Sequence, residues 1–356
     1  MKIDFYISSL SGGGAEKVLI SIATKCQELG NDVSIISLEK RPQFYKVNER
    51  VKVYKFNNRK GIKDFFDIRK QLKRSNADVS ICFLSRCNLL VLLASIFNKR
   101  KIIVCDRNNP LKEHSKIAFL ISNMIYKRAN KIIVQTKEIR KLYSKKIQNK
   151  IEVIENPIDI VGLEKQVKNE NLEREKTVIS VGRLEKQKDY KTLIKAFEKI
   201  HIKFPDWKLK IFGIGNMDKE LQEYIDQLKL NKCVKLCGRT ESPYYEMRKA
   251  HIFVLSSFYE GFPNVLCEAM YAEDLCVSSD CVSGPKELID NKKNGWLFPV
   301  GDQKKLTEIL LSLIENIEKG NSLDEIRNAA RKTVSRLEIS KNIAKWNYII
   351  ENVNME

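Results

Sequence analysis

The chain has 356 residues, room for two domains with separate cores, and its 64 Lys+Arg exceed 45 Asp+Glu to give a net charge of +19. Nine cysteines without a CxxC pair, and three histidines far apart (His114, His201, His251), argue against a disulfide scaffold and against a zinc centre. The longest apolar run, Leu89 to Phe97, is far shorter than the roughly 20 residues of a membrane span, so with its scattered thiols and no leader segment the chain reads as cytosolic.

Lys2 to Ser9 reads as a first strand, followed by Gly12-Gly13-Gly14, a helix from Ala15 to about Leu29 and a second strand, Asp32 to Leu38. This is a βαβ unit with a glycine-rich crossover. It lacks the Gly-Lys-Ser/Thr of a Walker loop and the spaced glycines of a dinucleotide fingerprint, which leaves a plain tight turn as a rival. Asp78 to Leu84 and Lys101 to Cys105 are further strands, the second opening onto Asp106-Arg107-Asn108-Asn109-Pro110.

Ile117 to Tyr126 reads as a helix, with Lys112, Lys116, Lys127, Arg128 and Lys131 around its ends. It suits either a membrane interface or a core helix with a solvated basic rim, the core reading being the nearer for the helix alone. Lys131 to Gln135 and Ile151 to Ile154 complete the strands of the first half, and Asn156-Pro157 breaks the pattern. Residues 1–150 hold 32 Lys+Arg against 12 Asp+Glu, a net +20, while the rest of the chain is close to neutral. An asymmetry of that kind points to a polyanion or an anionic membrane as the partner of the first half.

A polar stretch from Lys165 to Lys176 follows, and the expected domains are 1–160, 161–339 and a C-terminal helix, 340–356, crossing back to the first. Thr177 to Val181, Trp207 to Phe212, Val234 to Leu236, His251 to Leu255, Leu275 to Ser278 and Gly295 to Phe298 read as strands alternating with helices. Repeated βα units predict two doubly wound parallel sheets, with ligands at the carboxyl ends of the strands.

The most telling loop there is SSFYEGFPNVLCE, Ser256 to Glu268, a strand–turn–helix piece whose helix N-terminus is suited to an anion. Glu260 and Glu268 bracket it, and no His or further acid lies at metal-ligand spacing. Gly182, Arg183 and Lys188 leave the first strand of this domain, and Gly213 and Gly215 leave the second. Paired cations facing a helix N-terminus suit a diphosphate, and an ionised acid suits a ribose diol.

GGAEKV, ENPID, VGRLEKQKDY, IFGIGN, EGFPNVLCEAM and the Gly284-Pro285 turn, in this order, resemble the retaining glycosyltransferases of family 4, which have the GT-B fold of two Rossmann-like domains facing a cleft. The resemblance implies that Arg183 and Lys188 grip the donor diphosphate, with Gly182 and Gly213 letting backbone come close. Glu260 would meet hydroxyls of the transferred sugar, and the backbone of Phe262, Pro263 and Asn264 its sugar and phosphate. Glu268 would hold the ribose, the stretch around Arg239 would border the base, and Gly13 and Gly14 would approach the phosphates.

Many members carry a histidine in the loop after the KIIVC-type strand, where this chain has Arg107. Arginine is no base, so Asp106 is the only evident proton acceptor of this loop; Asp106 and Arg107 both stand as site residues, and the alternative is that the departing phosphate takes the acceptor's proton. The expected activity is metal-independent transfer of a sugar from a nucleotide diphosphate sugar, taken as UDP-linked, to a glycan acceptor carried on a polyprenyl diphosphate in bacterial surface polysaccharide synthesis (lipopolysaccharide or capsule). The enzyme would work in the cytoplasm, peripherally on the anionic inner face of the membrane, with no nucleic-acid partner. Two alternatives are a sugar-nucleotide epimerase of the same architecture, which leaves EGFPNVLCE unexplained, and a basic nucleic-acid-binding protein, which lacks interleaved aromatics.

Overall fold

The structure is a computed structural model that describes residues 1–57, 62–113, 115–167 and 172–355. The chain forms two compact units, Met1–Pro157 with Leu337–Glu356, and Ile158–Arg336. The sequence places these divisions at 160 and 339.

The strands of the first unit are β1 (Lys2–Ile7), β2 (Asp32–Ser37), β3 (Lys52–Lys55), β4 (Val79–Phe83), β5 (Lys101–Cys105), β6 (Lys131–Val134) and β7 (Ile151–Val153). They pair in parallel in the order β3-β2-β1-β4-β5-β6-β7. Central strands are mostly apolar because both faces are covered, and β4 is buried at every position, Ser80 included. Side chains alternate between faces. Ile3, Phe5, Ile81 and Phe83 pack under the helices Gly14–Glu28 and Ile339–Met355. Tyr6, Cys82 and Val104 pack on the other side, under Ile62–Ser75, Ser85–Ala94 and Lys116–Tyr126. Edge strand β3 has no counterpart in the sequence reading. Its four residues, KVYK, are mostly exposed, and lysines on an edge discourage pairing with another chain.

The second unit contains β8 (Thr177–Val181), β9 (Lys208–Phe212), β10 (Val234–Leu236), β11 (Ile252–Leu255), β12 (Leu275–Ser279) and β13 (Trp296–Phe298). They too are all parallel, in the order β10-β9-β8-β11-β12-β13. Helices Tyr190–Lys203, Asp218–Gln227 and Gln303–Glu318 share one core with the sheet. Helix Asn264–Tyr271 packs separately against Pro243–Lys249 and Asp324–Ser335.

The polar stretch Lys165–Lys176, of which residues 168–171 lie outside the described residues, falls inside this unit. Arg174 explains why: its guanidinium reaches Asp274 at 2.8 Å and the carbonyls of Ala272 and Glu273 at 2.9 Å each, and it also donates to the carbonyl of Ala250. Arg174 thereby ties the chain entering β8 to the segment that precedes β12.

Strand order reverses between β1 and β4 in one unit and between β8 and β11 in the other. The crevice outside the carboxyl ends at such a reversal is where doubly wound sheets take ligands.

Candidate functional site

In the second unit the loops after β8, β9 and β10 are knitted by glycine. The Gly182 amide donates to the Phe212 carbonyl at 2.9 Å, and the Gly213 amide to the Gly238 carbonyl at 2.8 Å. A Cβ at Gly213 would stand 1.8 Å from the Gly182 carbonyl oxygen, so no other residue fits that approach. From Gly182 the chain runs through Arg183 into a short turn, Lys186–Lys188, and enters helix Tyr190–Lys203 through Asp189 at φ 46°.

That turn aims Lys188 at the loop after β11. Its Nζ lies 2.7 Å from Glu260 Oε1, with both side chains largely buried. Ser257 Oγ donates to the same carboxylate oxygen at 2.6 Å, and Ser283 Oγ donates to the Glu260 carbonyl at 2.6 Å. Ser256 Oγ in turn donates to the Lys188 carbonyl at 2.8 Å. Glu260 is therefore held from both ends, and its loop leads into helix Asn264–Tyr271 through Pro263 at the N-cap. Proline has no side-chain group to cap the helix, whose amino end carries the partial positive charge that suits an anion. Gly284, at φ 93°, passes so close that a Cβ would meet Pro263 Cδ at 2.6 Å.

Two neighbouring groups, Cys281 and Tyr190, are held protonated. Burial, and after it the charge of Glu260, pushes the Cys281 thiol up to about 12 and the Tyr190 hydroxyl above its ordinary range. Both stay protonated at neutral pH. Among the described residues no cluster of three His, Cys, Asp or Glu is arranged to hold a metal.

The other expected residues of this unit spread more widely. Arg183 is exposed and pairs with Glu185 at 2.9 Å, turned to a different partner from Lys188. Glu268 is buried one turn inside its helix, and the Phe262 side chain is buried as well, leaving its backbone at the loop. Arg239 is exposed just after Gly238, which turns the chain at φ 69°.

The first unit holds the remaining residues. Glu16 Oε2 accepts from the amides of Gly12 at 2.5 Å and Gly13 at 3.2 Å, while Ser9 Oγ donates to its Oε1 at 2.9 Å. The glycine turn, including Gly14 at the head of helix Gly14–Glu28, is thus shaped by a carboxylate from its own helix, as in a capping box. Glu16 stands three residues after Gly13, the spacing that marks such a box in sequence.

Asp106, offered by the sequence as a site acid, is a structural hub. Tyr126 Oη at 2.8 Å, Asn88 Nδ2 at 2.8 Å and Ser85 Oγ at 3.3 Å donate to Oδ1, and Tyr143 Oη donates to Oδ2. Burial and this carboxylate's charge push the Tyr126 hydroxyl well up. Arg107 lies over the Phe83 ring at 4.2 Å and the Trp346 ring at 5.5 Å, and it donates to Asn156 Oδ1 at 2.6 Å. Its burial lowers its pKa from the usual arginine value. The sequence reading missed Glu16, Ser257, Ser283, Asn156 and Trp346, whose roles arise from tertiary contacts.

Comparison with known proteins fits this arrangement. Residues 12–161 match the family described as Glycosyltransferase Family 4, and residues 163–333 match Glycosyl transferases group 1. One similar protein, 30% identical with 99% of each chain covered, is the Campylobacter jejuni GalNAc-alpha-(1->4)-GalNAc-alpha-(1->3)-diNAcBac-PP-undecaprenol alpha-1,4-N-acetyl-D-galactosaminyltransferase. Another from the same organism, N-acetylgalactosamine-N,N'-diacetylbacillosaminyl-diphospho-undecaprenol 4-alpha-N-acetylgalactosaminyltransferase, is 25% identical over 97% of this chain and 99% of its own. The fold is shared with Anabaena HepE crystallised with UDP and glucose, at a TM-score of 0.82, 19% identity and 99% coverage of each chain. The two parallel α/β sheets are those of GT-B enzymes, and the chain belongs to the family 4 glycosyltransferases, with a group 1 domain as its second unit.

Proposed function

We propose that the protein is a retaining glycosyltransferase that moves a sugar from a UDP-sugar to a polyprenyl-diphosphate-linked glycan in bacterial surface polysaccharide synthesis. The observation that carries this reading is the buried Lys188–Glu260 pair at the reversal of the second sheet, beside the amino end of helix Asn264–Tyr271. A fixed cation and a helix dipole suit a leaving diphosphate, and a carboxylate held by Ser257 suits sugar hydroxyls and the positive charge developing at the anomeric carbon. The relatives that act on undecaprenol diphosphate sugars, and the HepE complex with UDP, support the choice of acceptor and donor.

In this reading the anomeric C–O bond breaks with its electron pair leaving on the diphosphate. The acceptor hydroxyl attacks from the same face, and its proton passes to the departing phosphate oxygen. The raised pKa values at Cys281 and Tyr190 count against those two groups as nucleophiles. Lys188, Arg183 and the Phe262–Asn264 backbone bind the diphosphate, Glu268 the ribose, and Arg239 borders the base. Gly13 and Gly14 approach the phosphates, while Arg107 serves the acceptor. The reaction then needs no metal, and the enzyme works at the cytoplasmic face of the membrane.

The test is transfer from UDP-sugars to a polyprenyl-diphosphate-linked acceptor, with the product's anomeric configuration read by NMR. Retention, with turnover undiminished by chelator, is the expected result. Inversion, or activity lost with chelator and restored by manganese, overturns the mechanism, and binding of duplex nucleic acid with no turnover overturns the function.

A further inference from the structure

Helix Lys116–Tyr126 is seated with its apolar side outward. Ile117, Leu120, Ile121 and Met124 are 71, 65, 51 and 67% exposed, and Leu111 on the preceding helical turn is 44% exposed. The spacing i, i+3, i+4, i+7 gathers the four helix residues into one stripe. Its inward residues are Phe119, Ser122, Asn123 and Tyr126.

Two inward polar groups fix this orientation; the bonds from Ser122 Oγ to the Ala118 carbonyl at 2.9 Å and from Asn123 Nδ2 to the Phe119 carbonyl at 2.8 Å stay within the helix. Asn123 Oδ1 accepts from the Ser144 amide at 3.2 Å, and Tyr126 Oη reaches Asp106 at 2.8 Å. Turning the stripe inward would part Asn123 from the Ser144 amide and Tyr126 from Asp106. The exposed stripe is thus a property of the folded unit.

Its surroundings are predominantly basic. Lys112 and Lys116 are exposed at one end and Lys127 and Arg128 at the other; Glu113 is the one acid in sequence between 107 and 137. Lys150 Nζ adds a further cation at the C-terminal end, bonded to the Lys127 and Ala129 carbonyls at 2.7 and 2.8 Å. No helix among the described residues is long and apolar enough to cross a membrane.

We propose that this helix docks the protein on an anionic lipid surface, its stripe at the acyl boundary and its flanking cations among the headgroups. Charge decides between the candidate occupants. A second copy meeting this face about a two-fold axis would bring the same cations together, whereas anionic headgroups neutralise them. The docking stands on this geometry alone, and only its use in catalysis rests on the lipid-linked acceptor proposed above. Tyr126 ties the last turn to Asp106, just past the end of β5, so docking would hold that loop at a fixed place relative to the headgroups.

Co-sedimentation of the full chain with vesicles tests this without any sugar donor. Wild type should bind phosphatidylglycerol-containing vesicles, ignore pure phosphatidylcholine and be released by high salt. Combined Ile117→Ser, Leu120→Ser and Met124→Ser should weaken binding at least tenfold with an unchanged melting temperature, and Leu120→Glu alone should do the same if the triple variant proves unstable. Turnover of a short soluble acceptor should stay at wild-type level, which separates failure of docking from failure of the transferase reading. Wild-type binding by both variants, equal binding to both vesicle types, binding to neither, or a lipid-free dimer that the triple variant abolishes would each overturn the proposal.

Discussion

Lys188 and Glu260 stand 72 positions apart in sequence yet meet at 2.7 Å, joining the loops after β8 and β11 where the strand order of the second sheet reverses. Each gives the other a reason to be buried. A buried pair is costly to break from one side, because the survivor keeps its desolvation without its partner.

The first prediction follows from that asymmetry. Lys188→Ala should lower turnover by about 2–4 kcal/mol in transition-state terms. It should also destabilise the second unit by roughly 3–5 kcal/mol through the stranded Glu260. Adding Glu260→Gln should recover much of the stability but none of the activity. Urea melts and initial rates of the two single variants and the double variant check this, and additive stability losses would count against the pair.

Glu260 and Glu268 should fail in different ways. Glu260→Gln removes charge beside the reacting sugar, so kcat should fall while UDP affinity holds. Glu268→Ala removes a contact made in the ground and transition states alike, so UDP binding should weaken. Calorimetric titration of UDP against both variants separates them, and identical behaviour would contradict the assigned roles.

Asp106 should behave as scaffold. With four side chains donating to it, Asp106→Asn should depress the melting temperature of the first unit by several degrees and leave kcat for a soluble acceptor within about threefold. A catalytic base would show the reverse, a rate loss on the order of 100-fold with stability intact.

The pH dependence of stability holds a concealed balance. Burial pushes Asp274 up to about 7 from 3.8 despite Arg174, and burial together with Arg327 pushes His251 down to about 4 from 6.5. Between pH 4 and 6.5 the folded state thus holds a proton on Asp274 that unfolding releases, while unfolding takes one up on His251. The two slopes cancel. His251→Gln should leave Asp274 alone, so stability should fall as pH rises from about 4 to 7, by at most about 1.4 kcal/mol per pH unit. Asp274→Asn should leave His251 alone, so stability should rise with pH up to 6.5. Urea midpoints at pH 4.5, 5.5 and 6.5 test both signs, and curves parallel to wild type would refute the balance.

How far these features can be read from the sequence depends on where their cause lies. Strands such as β4, β8 and β11 are legible because burial on both faces favours short, mainly apolar, β-branched runs, and the EGFPN turn because glycine and proline punctuate it. β3 is hidden by its exposure, which removes the apolar signal. Both acids of the Glu260–Glu268 loop are visible in sequence, but nothing local says that Lys188 turns to Glu260 while Arg183 turns to Glu185. The same holds for Asp106, whose capture depends on tyrosines 20 and 37 residues away. For helix Lys116–Tyr126 the amphipathic pattern is legible and its facing is not, because Asn123 and Tyr126 find partners only in the fold.

Helix Ile339–Met355 supplies Trp346, Ile350 and Val353 to the core of the first unit, although the whole second unit lies between it and the strands it covers. On the ribosome, the residues of the second unit are therefore all synthesised before the first unit receives its closing helix. The earlier-made sheet must wait with Phe83, on which Trp346 stacks, lacking that cover. Release of the nascent chain between 336 and 339 should give a product with a protease-resistant second unit and a labile first one.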